Sequence, residues 1–294
     1  TEIWATLAPA CPDLAAKYAV EDAKVDHGTG EGTIAAAFVA ALESAAFVIS
    51  DRKELIALAL GRIPENSRTA RTVRLAAACH EKKMPVREAR DAIIAENADI
   101  GDGWFQAPSN VGFVVLGLLY GEGDFKKSML VAVNCGDDTD CTGATIGALL
   151  GILYGKKGLP RDWCRHVGDK IVTACINLGI SWLPITSCKQ LTERIARLAP
   201  AMLAENNARA VIYGGKTEIG GEDAQMLQTS SFRDSFSVLR PYSFSMPFAF
   251  FTAEIIYYEE PVLVSGGETH FALKLHNNVK AYGNQPYDLS RIVA

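Results

Sequence analysis

The sequence predicts a mainly α-helical protein with a small β-rich domain near its C-terminal end. Three observations predict it. Alanine- and leucine-rich stretches of helical length, separated by proline, glycine and capping residues, fill roughly the first two hundred residues. Beyond about residue 208 the texture changes, and seven of the twelve phenylalanines lie between Phe232 and Phe271. There Tyr242, Phe244, Met246, Phe248 and Phe250 alternate with other residues, the period of a strand. The expected division is a helical domain over 1–207 and a β-rich, sandwich-like accessory domain over 208–294.

The elements follow in order. "PDLAAKYAVEDAK" is the first helix, with Pro12 and Asp13 suiting a helix start. "GTIAAAFVAALESAAFVI" is apolar almost all round and should be a central buried helix. "DRKELIALALGRI" starts on Asp51 as N-cap and ends near Gly61. Pro64 separates it from "SRTARTVRLAAACHEKK", and Pro85 opens "VREARDAIIAENA". "SNVGFVVLGLLYG" and "DFKKSMLVAV" lead to "NCGDDTDCTGATIGALLGILYG", residues 134–155. Pro160 starts "RDWCRHVGDKIVTACINL". The last helix carries Leu191, Ile195, Leu198 and Met202 on one face, with Ser187 and Gln190 at capping-box spacing before it. Phe271, Leu273 and Leu275 alternate as a strand, and "SGG" at 265–267 reads as a turn between strands.

Composition narrows the function. The 294 residues are about half apolar, enough for a substantial core. The net charge of -5 and the lack of a basic run exclude a nucleic-acid partner from the expectation. No apolar run reaches the roughly 18–20 residues that span a membrane. Seven cysteines, odd in number and without a CxxC pair, suit a reduced, cytoplasmic compartment better than a disulfide framework. The chain starts at Thr1 without methionine, so a longer gene product around it is expected.

The chemistry concentrates in "NCGDDTDCT". Asp138 and Asp140 stand two apart, flanked by Asp137, Thr139, Cys141 and Thr142. Carboxylates so crowded repel unless a cation sits between them, and a hard divalent ion is the natural partner. The bland alternative is an acidic N-cap cluster on the following helix. Gly143, Gly147, Gly151 and Gly155 recur every four residues and should line one face, where another backbone approaches closely. An EF-hand fails, because the twelfth position counted from Asp138 is Leu149 instead of glutamate. "DTDCT" also matches the nucleophile motif of haloacid-dehalogenase-type phosphatases, with Asp138 as nucleophile, and that motif should end a buried strand.

"NCGDDTDCTGATIGALLGILYG" resembles the C-terminal metal motif of the ADP-ribosylglycohydrolases, the group of the dinitrogenase-reductase-activating glycohydrolase and crystallin J1. "EDAKVDHGTGEGTIAAAFVAALESAAF" resembles that family's His- and Gly-containing segment, and "APSNVGFVVLGLLYGEGDFKKSMLVAV" the helix pair before the motif. The resemblance implies an all-α domain with two magnesium (or manganese) ions. It implies hydrolysis of the glycosidic bond between ADP-ribose and an acceptor on a protein or small molecule, so the partner is an ADP-ribosylated protein or an ADP-ribose-containing small molecule. By carry-over, Asp138 and Asp140 are catalytic metal ligands and Cys141 stands at the third ligand position. His27, Gly28, Gly30, Gly32, Asn134 and Gly136 line the substrate. The family's N-terminal acidic motif has no counterpart between Thr1 and Asp26. The chain is therefore expected to be the later part of a catalytic domain, weak or inactive alone. The alternatives are the phosphatase and a non-catalytic binding or scaffold relative.

Other residues read more plainly. His166 should be a partly exposed helix residue, and His270 and His276 strand or turn residues. Trp104 and Phe105 are core anchors or a stacking surface, and Asn110 either a cap or a substrate contact.

Overall fold

The computed structural model divides into two compact units, Thr1–Ser237 and Val238–Ala294. The structure describes residues 1–99, 105–172, 185–215, 217, 219–238, 243–257 and 265–277. Trp104 and Tyr242 lie outside them.

The first unit is helical. It runs α1 (Glu2–Leu7), α2 (Pro12–His27), α3 (Glu31–Ala46), α4 (Arg52–Leu60), α5 (Arg68–Glu81), α6 (Val86–Glu96), α7 (Ala107–Tyr120), α8 (Phe125–Val133), α9 (Thr139–Gly158), α10 (Arg161–Val167), α11 (Cys188–Glu205) and α12 (Gly221–Gln228). Local chemistry sets many of the boundaries. Asp51, Ser67, Asp124 and Ser187 each accept an amide hydrogen bond at the start of α4, α5, α8 and α11. Pro12 opens α2, and Pro108 lies in the first turn of α7. The core is built on α3 and α7, in which residues 35–46 and 108–119 are all buried. Apolar side chains on every face leave those two helices no solvent side.

Contacts at their starts align these helices. Glu31 at the head of α3 accepts from the Arg68 and Thr69 amides, which open α5. Gly112 in α7 faces Thr72 of α5, where a Cβ would come within 2.8 Å of a Thr72 methyl. Asn110 of α7 binds Asp137, next to the start of α9. The heads of α3, α5, α7 and α9 therefore share one end of the unit.

Several expectations change. A short α1 precedes the helix expected to come first. "KKSMLVAV" lies in α8 and is not a strand, so the buried strand required by the phosphatase reading is missing there. Helix α10 stops at Val167, where Gly168 takes φ 75°. On α9 no backbone crowds the glycines. A Cβ at Gly143 would meet Val133 at 3.4 Å and one at Gly147 would meet Met129 at 3.7 Å, while Gly151 and Gly155 have open space. Gly155 instead breaks the helix with φ 60°. The close approach is made by α7 on α8: a Cβ at Gly117 would lie 2.8 Å from the Ser128 carbonyl, and one at Gly121 would lie 2.6 Å from the Ser128 Cα.

The second unit holds an antiparallel sheet of order β1-β2-β3, from β1 (Ser243–Pro247), β2 (Phe251–Tyr257) and β3 (Phe271–Asn277). Phe244, Ile255 and Leu273 stand in register, as do Met246, Ala253 and Leu275. The alternating run over 242–250 is not one strand. It turns after Pro247, and the Phe248 amide bonds the Phe251 carbonyl at 2.7 Å. Among the described residues there is one sheet, and Phe244, Phe248, Phe250 and Phe271 are exposed instead of filling a sandwich core.

Candidate functional site

The acidic loop lies between α8 and α9, and two consecutive left-handed residues shape it. Gly136 takes φ 82° and Asp137 takes φ 59°. Aspartate tolerates that region better than most side chains, and here its own carboxylate is engaged. The Phe105 amide donates to Asp137 Oδ1 at 3.0 Å, and Asn110 Nδ2 donates to Oδ2 at 2.7 Å. The Asp138 amide donates back to Asn110 Oδ1 at 3.3 Å. On the other flank Arg90 Nε donates to the Cys135 carbonyl at 2.9 Å. The loop is thus gripped from α6 and α7.

Asp138 occupies the N-cap position of α9, yet its side chain makes no capping hydrogen bond. Its carbonyl accepts from the Thr142 hydroxyl at 3.0 Å. Potential ligand atoms of Asp138, Asp140 and Cys141 all lie within 4.8 Å of one another, with Asp138 half-buried and the other two exposed. A hydrogen bond to Asp138 is the main force that pushes the Cys141 thiol up to about 11. Partial burial and the charges of Asp138, Asp140 and Glu2 add to it. In the absence of an ion the sulfur keeps its proton at neutral pH. The donor set is therefore two carboxylates backed by a protonated thiol. That fits a hard cation such as magnesium or manganese through oxygen, with sulfur the poorer donor. Among the described residues this is the one cluster of its kind.

The remaining predicted residues fall nearby or serve the backbone. His27 ends α2 beside Gly28, whose φ is 59°. Its Nδ1 lies 2.7 Å from Asp26, and its ring covers Gly32, where a Cβ would come within 2.8 Å of the imidazole. Gly32 is thus explained by His27. Gly30 caps α3, and the Thr33 hydroxyl binds the Gly28 carbonyl at 2.8 Å. This loop shares the end of the unit that carries the acidic loop, but among the described residues no hydrogen bond or ion pair joins His27 to Asp138 or Asp140. Asn134 is the exposed C-cap of α8, and Gly136 lies beside the Arg90 guanidinium. His166 is exposed on α10, and His276 pairs with Glu254 across the sheet at 3.0 Å. The sequence reading did not select Asp137 or Arg90 for the site and left Asn110 undecided. The one local signal for Asp137 was a carboxylate directly after a glycine at a helix junction.

Fold and cluster together define a class: a helical domain with an oxygen-rich cluster, suited to a hard cation, at the shared heads of its long helices. The chain belongs to the ADP-ribosylglycohydrolase family, whose model matches residues 3–208. A stretch of 49 residues is 39% identical to the ADP-ribosylarginine hydrolase Tri1 of Pseudomonas putida (strain GB-1). That stretch is 17% of this chain and 13% of the relative's length. No solved structure matches. Among the described residues no helix is long and apolar enough to cross a membrane.

Proposed function

We propose that this chain carries part of the active site of a metal-dependent hydrolase that releases ADP-ribose from an acceptor side chain, with arginine as the acceptor to test first. One observation carries the reading. In a member of this family, the Asp138 and Asp140 carboxylates are not used to cap α9 and stand together with Cys141 at its mouth. The name of the relative supports arginine.

Asp138 and Asp140 would hold the ion, and Cys141 would stand beside it. Such an ion supplies positive charge that orients ribose hydroxyls and lowers the pKa of a water. Asp137, Asn110 and Arg90 keep the loop in place. The Gly28–Gly32 turn and His27, at the same end, are proposed to receive the diphosphate and ribose, with Asn134 and Gly136 at the loop's edge. The described residues offer one cluster where the family resemblance implies two ions, so turnover by this chain alone is proposed to be weak.

The test is manganese titration followed by electron paramagnetic resonance, with ADP-ribosyl-arginine turnover measured in parallel. Wild type should bind manganese, and Asp138→Asn with Asp140→Asn should weaken binding by at least about tenfold, since each lost carboxylate removes a charge-assisted contact. Equal binding by the double variant would overturn the site. Robust magnesium-dependent release of ADP-ribose by this chain would overturn the weak-turnover part.

A further inference from the structure

The sheet of the second unit has one face without a charged side chain. Strand pairing sets Phe244, Ile255 and Leu273 in one row across that face and Met246, Ala253 and Leu275 in the next. Aromatic pairs close both ends of it. Tyr257 and Phe271, partners across the strands, have ring centroids 5.7 Å apart. Phe248, just past β1, stacks on Phe251 at 4.7 Å with the rings inclined by 20°. The alternate residues turn the other way and are mostly polar: Ser243, Ser245, Thr252, Glu254, Lys274 and His276. The sheet is therefore amphipathic, the pattern of a sheet that packs one side against a core.

That apolar side is only partly covered. Phe244, Phe271 and Leu273 each keep more than half of their surface exposed, and Phe248 and Met246 more than a third. At roughly 200 Å² for a phenylalanine, these side chains and the smaller exposed parts of Phe251, Ile255, Tyr257 and Leu275 leave roughly 600 Å² of apolar surface. A patch of that size stands at the upper end of what a monomer ordinarily shows. Two such faces together bury roughly 1,200 Å², above the roughly 1,000 Å² that a specific interface needs. The chemistry of the face also selects the partner. Without charge it has little to steer in one foreign protein or to reject another. A second copy matches it in size and polarity, and interfaces between identical chains are the more apolar kind. Small Ala253 stands between Met246 and Leu275, so the surface is uneven in the way that lets two layers interdigitate.

We propose that two copies of this chain associate through this face, sheet on sheet, about a twofold axis. Twisted sheets pack in this way about 10 Å apart, with strand directions within about 30° of each other. The sandwich core expected from the sequence is then completed between two chains, each supplying one layer. The inference concerns the second unit and does not depend on the function proposed for the acidic loop.

The full chain should be followed by sedimentation velocity across the micromolar range. A monomer–dimer equilibrium is expected there, since an interface of this size without polar anchors lies at the weak end. In the wild type, NMR signals of Phe244, Phe271 and Leu273 should change with concentration while those of Lys274 and His276 hold still. Phe244→Lys with Leu273→Lys places unpaired charges in the contact and should weaken dimerisation by about a hundredfold or more. Phe244→Leu with Leu273→Met keeps the face apolar and should retain the dimer, as should Lys274→Ser on the polar face. Three results would each overturn the proposal. A monomer at every concentration would leave the face to other segments of the chain. A dimer that survives the lysine pair, or concentration-dependent signals only outside the apolar face, would put the interface elsewhere. Association that grows without a dimer plateau would make the face a non-specific patch.

Discussion

Asp137 spends both carboxylate oxygens on the Phe105 amide and on Asn110, while Asp138 and Asp140 spend neither on capping α9. Three neighbouring acids of one type thereby separate into one that builds the loop and two left off the backbone, of which Asp138 meets only the Cys141 thiol. The spacing of "DDTD" could show only that the charge is crowded. The partners that distinguish Asp137 come from 32 and 27 residues away, so no local pattern could reveal them. Asn110 should then be a positioning residue. Asn110→Ala is expected to weaken manganese binding by roughly 10–100-fold, as loss of an outer partner of a metal ligand does. Asp137→Ala should do the same, and the double variant should lose less than the sum, with a coupling of about 0.5–3 kcal/mol. Strict additivity in the titrations would show that the pair does not act as one latch.

Helix boundaries were the most legible feature, because caps are local. Asp51 and Pro12 do in the structure what their positions predict, whereas the Ser187 and Gln190 pair forms half of its capping box: Ser187 Oγ accepts from the Gln190 amide, but Gln190 Oε1 accepts from the Thr186 amide instead of that of Ser187. The reasons for glycine were not legible. The pattern of four on α9 pointed to a backbone contact, yet Gly117 of α7 and its C-cap Gly121 are the crowded ones, because α8 folds back on them. The alanine-rich helix α3 hides a similar surprise. Glu43 is wholly buried, and neither carboxylate oxygen has a hydrogen-bond partner. Burial first, then the charge of Glu2, raises its carboxyl well above the ordinary range, while the Thr1 ammonium pulls the other way. The folded state therefore binds a proton that the unfolded state releases more readily. The stability due to this group is fully present below the unfolded pKa of about 4.5 and is lost as pH rises through the raised folded value. In metal-free protein, melting curves from about pH 5 to about pH 8 should fall more steeply for wild type than for Glu43→Gln. Parallel curves would mean that Glu43 is not the titrating group.

At the scale of the whole molecule, the change in texture near residue 208 marks where the aromatic-rich sequence begins, but buried charge follows a different line. Arg62 is 1% exposed, an expensive place for a guanidinium unless its donors are met. It binds Asp13 at 2.9 Å, the Leu58 carbonyl at 3.0 Å and the carbonyl of Leu227, which lies in α12 beyond the change in texture. Ser230 also binds Asp13 at 2.7 Å, and Arg233 reaches the Leu60 carbonyl at 3.1 Å. Composition sees little of this, since α12 is short and polar, and the Phe232 and Phe236 pair that follows it, packed edge to face, reads as part of the aromatic-rich run. A chain ending at residue 207 should therefore be less stable than one ending at residue 237. The deficit is expected to be at least about 1–3 kcal/mol, the cost of leaving one buried polar group unmet. For a unit of this size each kcal/mol moves the midpoint by roughly 2–4 °C. Arg62→Met in the shorter chain should recover part of that deficit, because it removes the orphaned donors along with the charge. If the two chains melt together, the segment from 221 to 237 is an appendage and the helical unit is complete without it.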